Sequence, residues 1–248
     1  MDFIRVTPEN IATEHICCAI SSEKDCQVMS KKAWLRERFA DGLVFLKANA
    51  RGTCFIEYLP AEKAWCPINA DGWMYVDCLW VSGQFKGQGY SNQLLDACVA
   101  DSRAQGRKGV VLLSSDKKRP FLSDPKYLAH KGFTLADECP PFFRLLCLPF
   151  DANAPKPTFR DCVKQPSVPA DGYTLYYANQ CPYTAKYVPL LEAVAAKHGV
   201  PFRVVHLQTA EQAQSAPTPF TSFTLFRDGA FVTNEILSEA KLEKLLSE

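Results

Sequence analysis

The sequence lacks the features that mark several protein classes. No apolar run approaches the about 18 residues that a membrane-spanning helix needs, and residues 1–5 show no apolar signal core. Neither charge dominates, because 28 Lys and Arg nearly balance 27 Asp and Glu, for a net charge of +1. We therefore expect neither a membrane nor a nucleic acid as the main partner.

Paired cysteine motifs are also lacking, although the chain contains 11 cysteines. The set His15, Cys17, Cys18, Cys26 and Cys66 raises the hypothesis of a metal site. No Cys-x-x-Cys pair is present, however, and adjacent cysteines rarely both bind one zinc ion. We expect no metal, and we interpret the cysteines as reduced thiols of a cytoplasmic protein, several of them in the core.

One stretch, residues 73–95, has the pattern of an anion-binding site. Residues 73–81 are apolar and aromatic, which is typical of a strand buried on both faces. Gly83, Gly87 and Gly89 follow, and a helical period of apolar residues comes next. In such a joint the glycines let backbone N–H groups approach a phosphate, and the helix N-terminus adds about half a positive charge.

The loop does not fit the common nucleotide motifs. It lacks the Gly-Lys-Ser/Thr ending of a P-loop, and Asn92 stands where a dinucleotide motif has its third glycine. It resembles motif A of the GCN5-related N-acetyltransferase (GNAT) family, an Arg/Gln-x-x-Gly-x-Gly/Ala loop before a helix with a Leu-Leu pair. The Leu pair sets the register at residues 86–91, with Lys86 replacing Arg or Gln and Ser91 replacing Gly or Ala. A register starting at Gln84 puts the helix two residues out of step, and an ordinary strand–turn–helix joint is the other interpretation.

The resemblance implies acetyl-CoA as the cosubstrate. The loop would bind its pyrophosphate, and the end of the preceding strand would pair with its pantetheine arm. The implied cofactor-binding residues are Leu79, Trp80, Val81, Lys86, Gly87, Gln88, Gly89, Tyr90 and Ser91.

A second segment carries the candidate general acid. Residues 124–133 resemble the family's Phe-Tyr-x-x-x-Gly-Phe segment, whose tyrosine protonates the leaving thiolate of CoA. The match is shifted by one residue, because Leu128 rather than Tyr127 stands four residues before Gly132. Tyr127 is nevertheless our candidate acid, and a tyrosine that only packs is the alternative.

Two carboxylates are candidates for the general base. An amine must lose a proton before it attacks a thioester, and a carboxylate can accept that proton. Glu57 and Asp77 lie on neighbouring predicted strands, and either could instead be a solvated strand residue. Four aromatic residues are candidates for the acceptor pocket or for the core: Trp65, Trp73, Tyr75 and Trp80.

The order of predicted elements in residues 1–150 also resembles the GNAT fold. We expect strands over 3–8, 43–48, 53–59, 73–81 and 109–115, with helices over 10–20, 31–39 and from the loop to 104. The fold class is thus α/β (α+β), with a mixed central sheet in which the last two of these strands splay apart.

The chain then changes composition twice. Five prolines fall within 149–169, which predicts a linker over 151–171 between domains at 1–150 and 172–248. In the last segment the pattern predicts strand, helix, strand, hairpin and a final helix. This order resembles thioredoxin and glutaredoxin.

The resemblance to thioredoxin carries a candidate redox thiol. Cys181-Pro182-Tyr183 matches the start of a Cys-Pro-Tyr-Cys motif at a helix N-terminus, where a thiol pKa falls. Thr184 replaces the resolving cysteine, and Thr221 stands nearer than Pro219 to the usual place of the cis-proline. A monothiol role through mixed disulfides and a purely structural domain both remain open.

The whole arrangement resembles the YoaP-type acetyltransferases, which are bacterial. It implies an acetyl-CoA-dependent N-acetyltransferase that acts on a small-molecule or peptide amine by direct attack in a ternary complex. A homodimer is left open. The alternative is a thiol-dependent redox protein using Cys181 with a CoA-binding first domain, and a third reading is a CoA-binding module without catalysis. The sequence does not identify the acceptor.

Overall fold

The computed structural model describes residues 2–16, 18 and 22–247. The chain divides into two compact units. The first unit comprises residues 1–20, 32–64 and 68–159, and the second comprises residues 21–31, 65–67 and 160–248.

The described residues form seven α-helices and thirteen β-strands. The helices are α1 (Cys26–Arg38), α2 (Tyr90–Ala104), α3 (Pro125–His130), α4 (Asp161–Lys164), α5 (Thr184–Lys197), α6 (Ala210–Gln214) and α7 (Glu239–Leu246). The strands are β1 (Phe3–Val6), β2 (Val44–Ala48), β3 (Cys54–Pro60), β4 (Ile68–Asn69), β5 (Met74–Val81), β6 (Gly109–Ser115), β7 (Thr134–Cys139), β8 (Phe143–Pro149), β9 (Thr158–Phe159), β10 (Tyr173–Tyr177), β11 (Phe202–His206), β12 (Phe223–Arg227) and β13 (Ala230–Thr233). None of the described helices has the length and apolar character needed to cross a membrane.

The first unit is built on a seven-stranded sheet in the order β1-β2-β3-β5-β6-β8-β7. Its strands pair antiparallel except for β5 and β6, which are parallel. That parallel pair joins only Met74–Val76 to Val110–Leu112, although the two strands continue to Val81 and Ser115. The predicted mixed sheet with a splayed centre is therefore confirmed.

A β-bulge marks the place where the splay begins. Glu57 of β3 lies opposite Cys78, whereas the next residue, Tyr58, lies opposite Val76. Asp77 is thus an extra residue on β5, and such a residue bends its strand and increases the local twist. The bulge explains a correction: β5 is buried as predicted up to Val76, but from Asp77 onward it is half-buried or exposed because β6 has moved away.

One face of this sheet packs against α2. Leu94, Leu95 and Cys98 of α2 are buried in a core with side chains of β2, β3, β5 and β6. They recur at the spacing that places them on one helix face. The predicted helix to residue 104 and its predicted core positions are confirmed.

The N-terminal helix expected over 10–20 is wrong for the described part of that segment. Residues 8–13 form turns, and residues 17, 19 and 20 lie outside the described residues. The Asn10 side chain accepts from the Thr7 N–H at 2.8 Å and donates to the Arg5 carbonyl at 3.0 Å. Such local bonds from an asparagine compete with helix formation.

The second unit contains a four-stranded sheet in the order β11-β10-β12-β13. The β10–β11 pair is parallel, and the β10–β12 and β12–β13 pairs are antiparallel. Helices α5 and α7 contribute Val188, Leu191 and Leu242 to its apolar core. The strand, helix, strand, hairpin and helix predicted here are all present, and α6 is an additional short helix.

Residues 151–171 contain two short elements. Strand β9 pairs with β4, and its Phe159 is buried. Helix α4 follows at once, and its Val163 is buried as well. The first unit ends at Phe159 and the second resumes at Arg160, whereas the predicted domain boundaries at 150 and 172 stay predictions.

Candidate active site

The loop between β5 and α2 is held in place by one aromatic ring. Phe85 ends a short 3-10 turn and is buried in the core of the first unit. Its ring lies edge-on to Tyr90, with ring centres 6.0 Å apart, and packs against Gly52. A Cβ at Gly52 would come within 2.5 Å of that ring. The glycine therefore gives Phe85 the space to anchor the loop.

The backbone of the loop presents a row of N–H groups. Gly87 and Gly89 have φ angles of +77° and +78°, which glycine adopts without strain. Among the described residues, the N–H groups of residues 87–91 donate no hydrogen bond, whereas those of Asn92 and Gln93 already donate to the Gly89 carbonyl. A Cβ at Gly87 or Gly89 would meet no atom within 4 Å, so the space beside the loop is open. Unbonded N–H groups at the start of a helix are the kind of donors that bind anions.

The polar side chains of the loop divide into two kinds. Gln88 donates its amide to the Gln84 carbonyl, and Gln84 donates to the Arg51 carbonyl at 3.2 Å. These two glutamines hold the loop to the turn between β2 and β3. Lys86 is exposed on the loop and carries a positive charge that can meet a phosphate.

The end of β5 has one paired and one diverging edge. Leu79, Trp80 and Val81 pair with β3, whereas the pairing with β6 ends at Val76. Leu79 and Val81 pack against the core on the α2 side. The edge of β5 that faces β6 is therefore open to another extended chain.

Helix α3 is fixed at both ends. Asp124 caps its first turn by accepting from the Lys126 N–H at 2.9 Å. Lys131, directly after the helix, forms a 2.9 Å ion pair with Asp96 of α2. Leu128 is 0% exposed and fills the core at the position where the family motif has its tyrosine. That position cannot deliver a polar group here.

Tyr127 lies beside the loop. Its hydroxyl is buried and makes no hydrogen bond within the described residues. Burial raises the pKa of Tyr127, while the nearby Ser91 hydroxyl lowers that pKa in part. The phenol thus keeps its proton at neutral pH. It lies near Ser91, at the start of α2. Sequence reasoning found both residues but not that they are neighbours, because their contact depends on how α3 packs on α2.

The two candidate carboxylates both lie at the bulge. Glu57 is 0% exposed and faces Cys78 across the strands, and Asp77 is the half-buried extra residue of β5. By register, Glu57 shares a sheet face with Phe45 and Lys47, opposite the face that packs on α2. Nothing in the sequence pattern indicated the bulge.

That face carries a second charged group. The Lys47 ammonium is buried and forms a 2.8 Å ion pair with Glu14. His15 lies 3.4 Å from the same ammonium, and burial together with Lys47 lowers the pKa of His15. The segment at residues 14–15 is thereby tied to β2 beside the face of Glu57.

The four candidate aromatic residues have different environments. Trp73 and Tyr75 are buried in the first unit, and Trp65 is buried in the second. Trp80 is 39% exposed. The core interpretation therefore fits three of the residues, and Trp80 alone among the four offers a ring to solvent near the bulge.

The metal hypothesis gains no support within residues 2–16, 18 and 22–247. No three His, Cys, Asp or Glu side chains there come together as metal ligands would. Cys17, one member of the hypothesised set, lies outside the described residues.

Cys181 lies in the second unit, in the turn between β10 and α5, and is half-buried. The Thr184 hydroxyl, which is fully buried, donates to the carbonyls of Ala178 and Cys181 at 3.2 and 2.7 Å. The Thr184 side chain thus fixes the shape of this turn.

A full-length relative decides the family. The Bacillus subtilis (strain 168) protein named "Uncharacterized N-acetyltransferase YoaP" is 44% identical over 248 residues, and the match covers 100% of this chain and 99% of that protein. The chain belongs to the YoaP family of N-acetyltransferases. A family profile described as YoaP-like matches residues 201–244, within the second unit.

Solved structures of other acetyltransferases are more distant from this YoaP-family chain. A GNAT acetyltransferase from Brucella melitensis, solved with acetyl-CoA, is 19% identical with a TM-score of 0.39, and the match covers 62% of this chain and 91% of that one. The PaiA N-acetyltransferase from Thermoplasma acidophilum, solved with coenzyme A, is 15% identical with a TM-score of 0.42, and the match covers 60% and 100%. None of these names states an acceptor.

Proposed function

We propose that this chain transfers the acetyl group of acetyl-CoA to the nitrogen of an amine. One observation carries the proposal: five consecutive N–H groups at residues 87–91 donate no hydrogen bond within the described residues, in the loop that follows β5 after its pairing with β6 has ended. Membership in a family of N-acetyltransferases agrees with it.

The residues at this site fit acetyl-CoA. The N–H groups of residues 87–91 and the Lys86 ammonium would hold the pyrophosphate, because backbone donors, a helix N-terminus and a cation all favour bound phosphate. The open edge of Leu79, Trp80 and Val81 would pair with the amides of the pantetheine arm. When bound, acetyl-CoA supplies an activated thioester.

The chain would supply the proton transfers. Glu57 or Asp77 would take a proton from the amine, since both carboxylates lie at the bulge where the splay begins. Tyr127 would give a proton to the leaving thiolate, and its raised pKa keeps the phenol protonated for that step. We propose direct attack in a ternary complex, with no acyl group passed to the protein.

The acceptor that we propose is a small-molecule or peptide amine of the cytoplasm. Lys47 and Glu14 neutralise each other close to Glu57, so the acceptor side of the sheet has no strong excess of one charge. Trp80 offers an apolar and aromatic surface there. The homodimer stays an open question that gel filtration of the same preparation answers.

For the C-terminal segment we propose a thioredoxin-like domain over 172–248, joined to an acetyltransferase domain over 1–150 by a linker over 151–171. The sheet order β11-β10-β12-β13, with Cys181 in the turn before α5, supports that proposal. The same arrangement agrees with the alternative function, in which Cys181 forms mixed disulfides and the first domain only binds CoA.

Thermal unfolding with and without acetyl-CoA tests the acetyltransferase proposal. At a hundredfold excess over its dissociation constant, a ligand adds about 2.7 kcal/mol to the stability of the native state. We expect a clear upward shift of Tm in wild type and a much smaller shift in Lys86→Glu. Lys63→Glu is the matched control, because Lys63 is an exposed lysine that follows β3, near the opposite end of β5.

Two results would contradict the proposal. An absent shift in wild type would rule out acetyl-CoA as the ligand, and an equal loss in Lys63→Glu would show a general charge effect instead of a loop site. Where the shift is present, a panel of amines with chromatographic detection of released CoA identifies the acceptor. If none of the amines in the panel leads to release of CoA, the result would favour a CoA-binding module without catalysis.

A further inference from the structure

Strand β6 has an additional neighbour near its end. All of its residues pair with β8, and because a strand has only two edges, any further partner lies on the edge that faces β5. Pairing with β5 ends at Leu112. Two residues later, Ser114 forms an isolated parallel bridge with Ser123. The chain around Ser123 therefore takes the place beside β6 that β5 leaves when it bends away.

A buried side chain makes this contact. Ser114 is 0% exposed, and its hydroxyl donates to the Ser123 carbonyl at 2.7 Å. The connecting loop turns back through Phe121, whose φ of +62° is uncommon for a residue other than glycine. Such a conformation persists where the surrounding structure holds the chain. The bond from Ser114 is one such contact, because it holds the chain two residues after Phe121.

The chain after Ser123 leads directly into α3, the helix of Tyr127. Asp124 is the next residue and caps the helix, and Tyr127 follows in its first turn. After the other end of the helix, Lys131 forms the 2.9 Å ion pair with Asp96 of α2. The start of α3 is therefore held to β6 and its end to α2, and Tyr127 lies between these two attachments.

We propose that Ser114 is a positioning residue for acetyl transfer: by holding Ser123 against β6, it determines where α3 places the Tyr127 hydroxyl. The inference rests on the proposed function, in which Tyr127 is the general acid. A general acid must lie within hydrogen-bond reach of the atom that it protonates. A misplacement of about 1 Å caused by a distant substitution costs about 100-fold in rate. Ser114 thus acts on the reaction through α3 and touches neither substrate.

The next residue of the strand, Ser115, provides a matched control. It is also 0% exposed, and its hydroxyl also donates to a backbone carbonyl at 2.7 Å. That carbonyl belongs to Lys117, at the beginning of the loop, and not to the segment that precedes α3. Ser115→Ala therefore removes an equivalent bond from the same strand and leaves the start of α3 attached. Ser114→Thr keeps the hydroxyl and is the conservative variant.

Amide hydrogen exchange of the full-length chain, measured by mass spectrometry without acetyl-CoA, tests whether Ser114 holds α3. We expect Ser114→Ala to speed exchange of the amides of residues 126–131 about fivefold, because loss of one buried hydrogen bond favours local opening. Ser115→Ala and Ser114→Thr should change that exchange by less than about twofold. Unchanged exchange in Ser114→Ala, or an equal increase in Ser115→Ala, would overturn the inference. Since no ligand is present, this result does not depend on acetyl-CoA binding.

Steady-state acetyl transfer to the best amine of the panel tests the effect on the reaction. We expect Ser114→Ala to lower kcat about tenfold with little change in KM for acetyl-CoA, and Ser114→Thr to restore kcat. In a Tyr127→Phe background, Ser114→Ala should lower kcat no further, because the group that it positions is gone.

Two kinetic results would overturn the positioning role: an unchanged kcat in Ser114→Ala, or a full tenfold loss in the Tyr127→Phe background. If wild type transfers acetyl to none of the amines, the proposed function fails and the positioning role fails with it. The exchange experiment still decides in that case whether Ser114 holds α3, so the two failures are distinguishable.

Discussion

Two strand–loop–helix joints of this protein have the same local order but opposite designs. The joint between β5 and α2 leaves the N–H groups of residues 87–91 without acceptors among the described residues, beside open space. In the joint between β10 and α5, the N–H groups of Thr184 and Ala185 already bond to the carbonyls of Cys181 and Pro182. The Thr184 hydroxyl closes that turn further.

The difference shows what each joint can bind. A row of unbonded backbone N–H groups suits an anion such as a phosphate. In the closed turn the N–H groups of Thr184 and Ala185 are already bonded, and the bonds of the Thr184 hydroxyl fix the backbone that carries Cys181. The same supersecondary unit can therefore present either its backbone or a thiol, depending on whether the loop contains glycines or a threonine that bonds to carbonyls of the turn.

The largest expected effect separates the chemistry of the two joints. We expect Glu57→Gln or Asp77→Asn, whichever removes the base, to lower kcat about 100-fold or more, because a positioned base contributes about that much. Cys181→Ser should leave kcat for acetyl transfer unchanged. The measurement is CoA release with the best amine of the panel. If Cys181→Ser lowers kcat as much as the loss of the base does, the two joints act in one reaction.

The next largest effect compares two half-buried tyrosines, one in each unit. Burial raises the pKa of both Tyr127 and Tyr176 from the ordinary value of a tyrosine. Tyr127→Phe should lower kcat about 100-fold by removing a general acid, and Tyr176→Phe should not. Because Tyr127 stays protonated below its raised pKa, the wild-type rate should fall through loss of this acid only at a pH above the usual titration range of tyrosine. If Tyr127→Phe has the same pH profile as wild type, Tyr127 is a packing residue and not the general acid.

Two glycines test, through the free energy of unfolding, whether the space beside the first loop is open. Gly89 and Gly172 both have positive φ, but a Cβ at Gly89 meets open space, whereas one at Gly172 would lie 2.6 Å from the Pro201 carbonyl oxygen. Gly89→Ala should cost about 1 kcal/mol from backbone strain alone. Gly172→Ala should cost about 3 kcal/mol because a clash is added. Urea unfolding of both variants measures the free energies, and equal costs would contradict the openness of the first loop.

The smallest expected effect concerns the closed turn. Thr184→Val should lower the free energy of unfolding by about 1–2 kcal/mol, because the buried Ala178 carbonyl loses its donor. Thr13→Val is the control, since the Thr13 hydroxyl donates to the Asn10 carbonyl in an exposed place where water can replace it. Denaturant unfolding distinguishes the two, and equal losses would show that burial of the turn has no part in its stability.

The predictable part of the fold came from strong local periodicity. The strand at Gly109–Ser115 and the helix that ends at Ala104 have the bounds that their apolar patterns predict. The helix expected over 10–20 was wrong in its described part, because Asn10 bonds to its own neighbours in place of continuing an apolar period. Strand β9 escaped prediction, since two residues are too few to show a period.

The candidate site divides in the same way. Residues 86–91 could be found from the sequence, because a glycine loop between a strand and a helix is a contiguous pattern. The bulge at Asp77 could not, since it arises from the mismatch between β3 and β5 and leaves no mark in either strand alone. Cys66 and Gln180 likewise bond to one loop, residues 219–222, although they lie 114 positions apart in the sequence.

Most of the elements, their order and the loop that suits a phosphate follow from local sequence, because each of these depends on residues that are neighbours in the chain. Only the tertiary structure decided where β5 leaves β6, that Tyr127 stands beside Ser91, and that Leu128 fills the core instead of facing the site. These features depend on which distant residues pack together, and packing is settled by shape and burial across the whole unit.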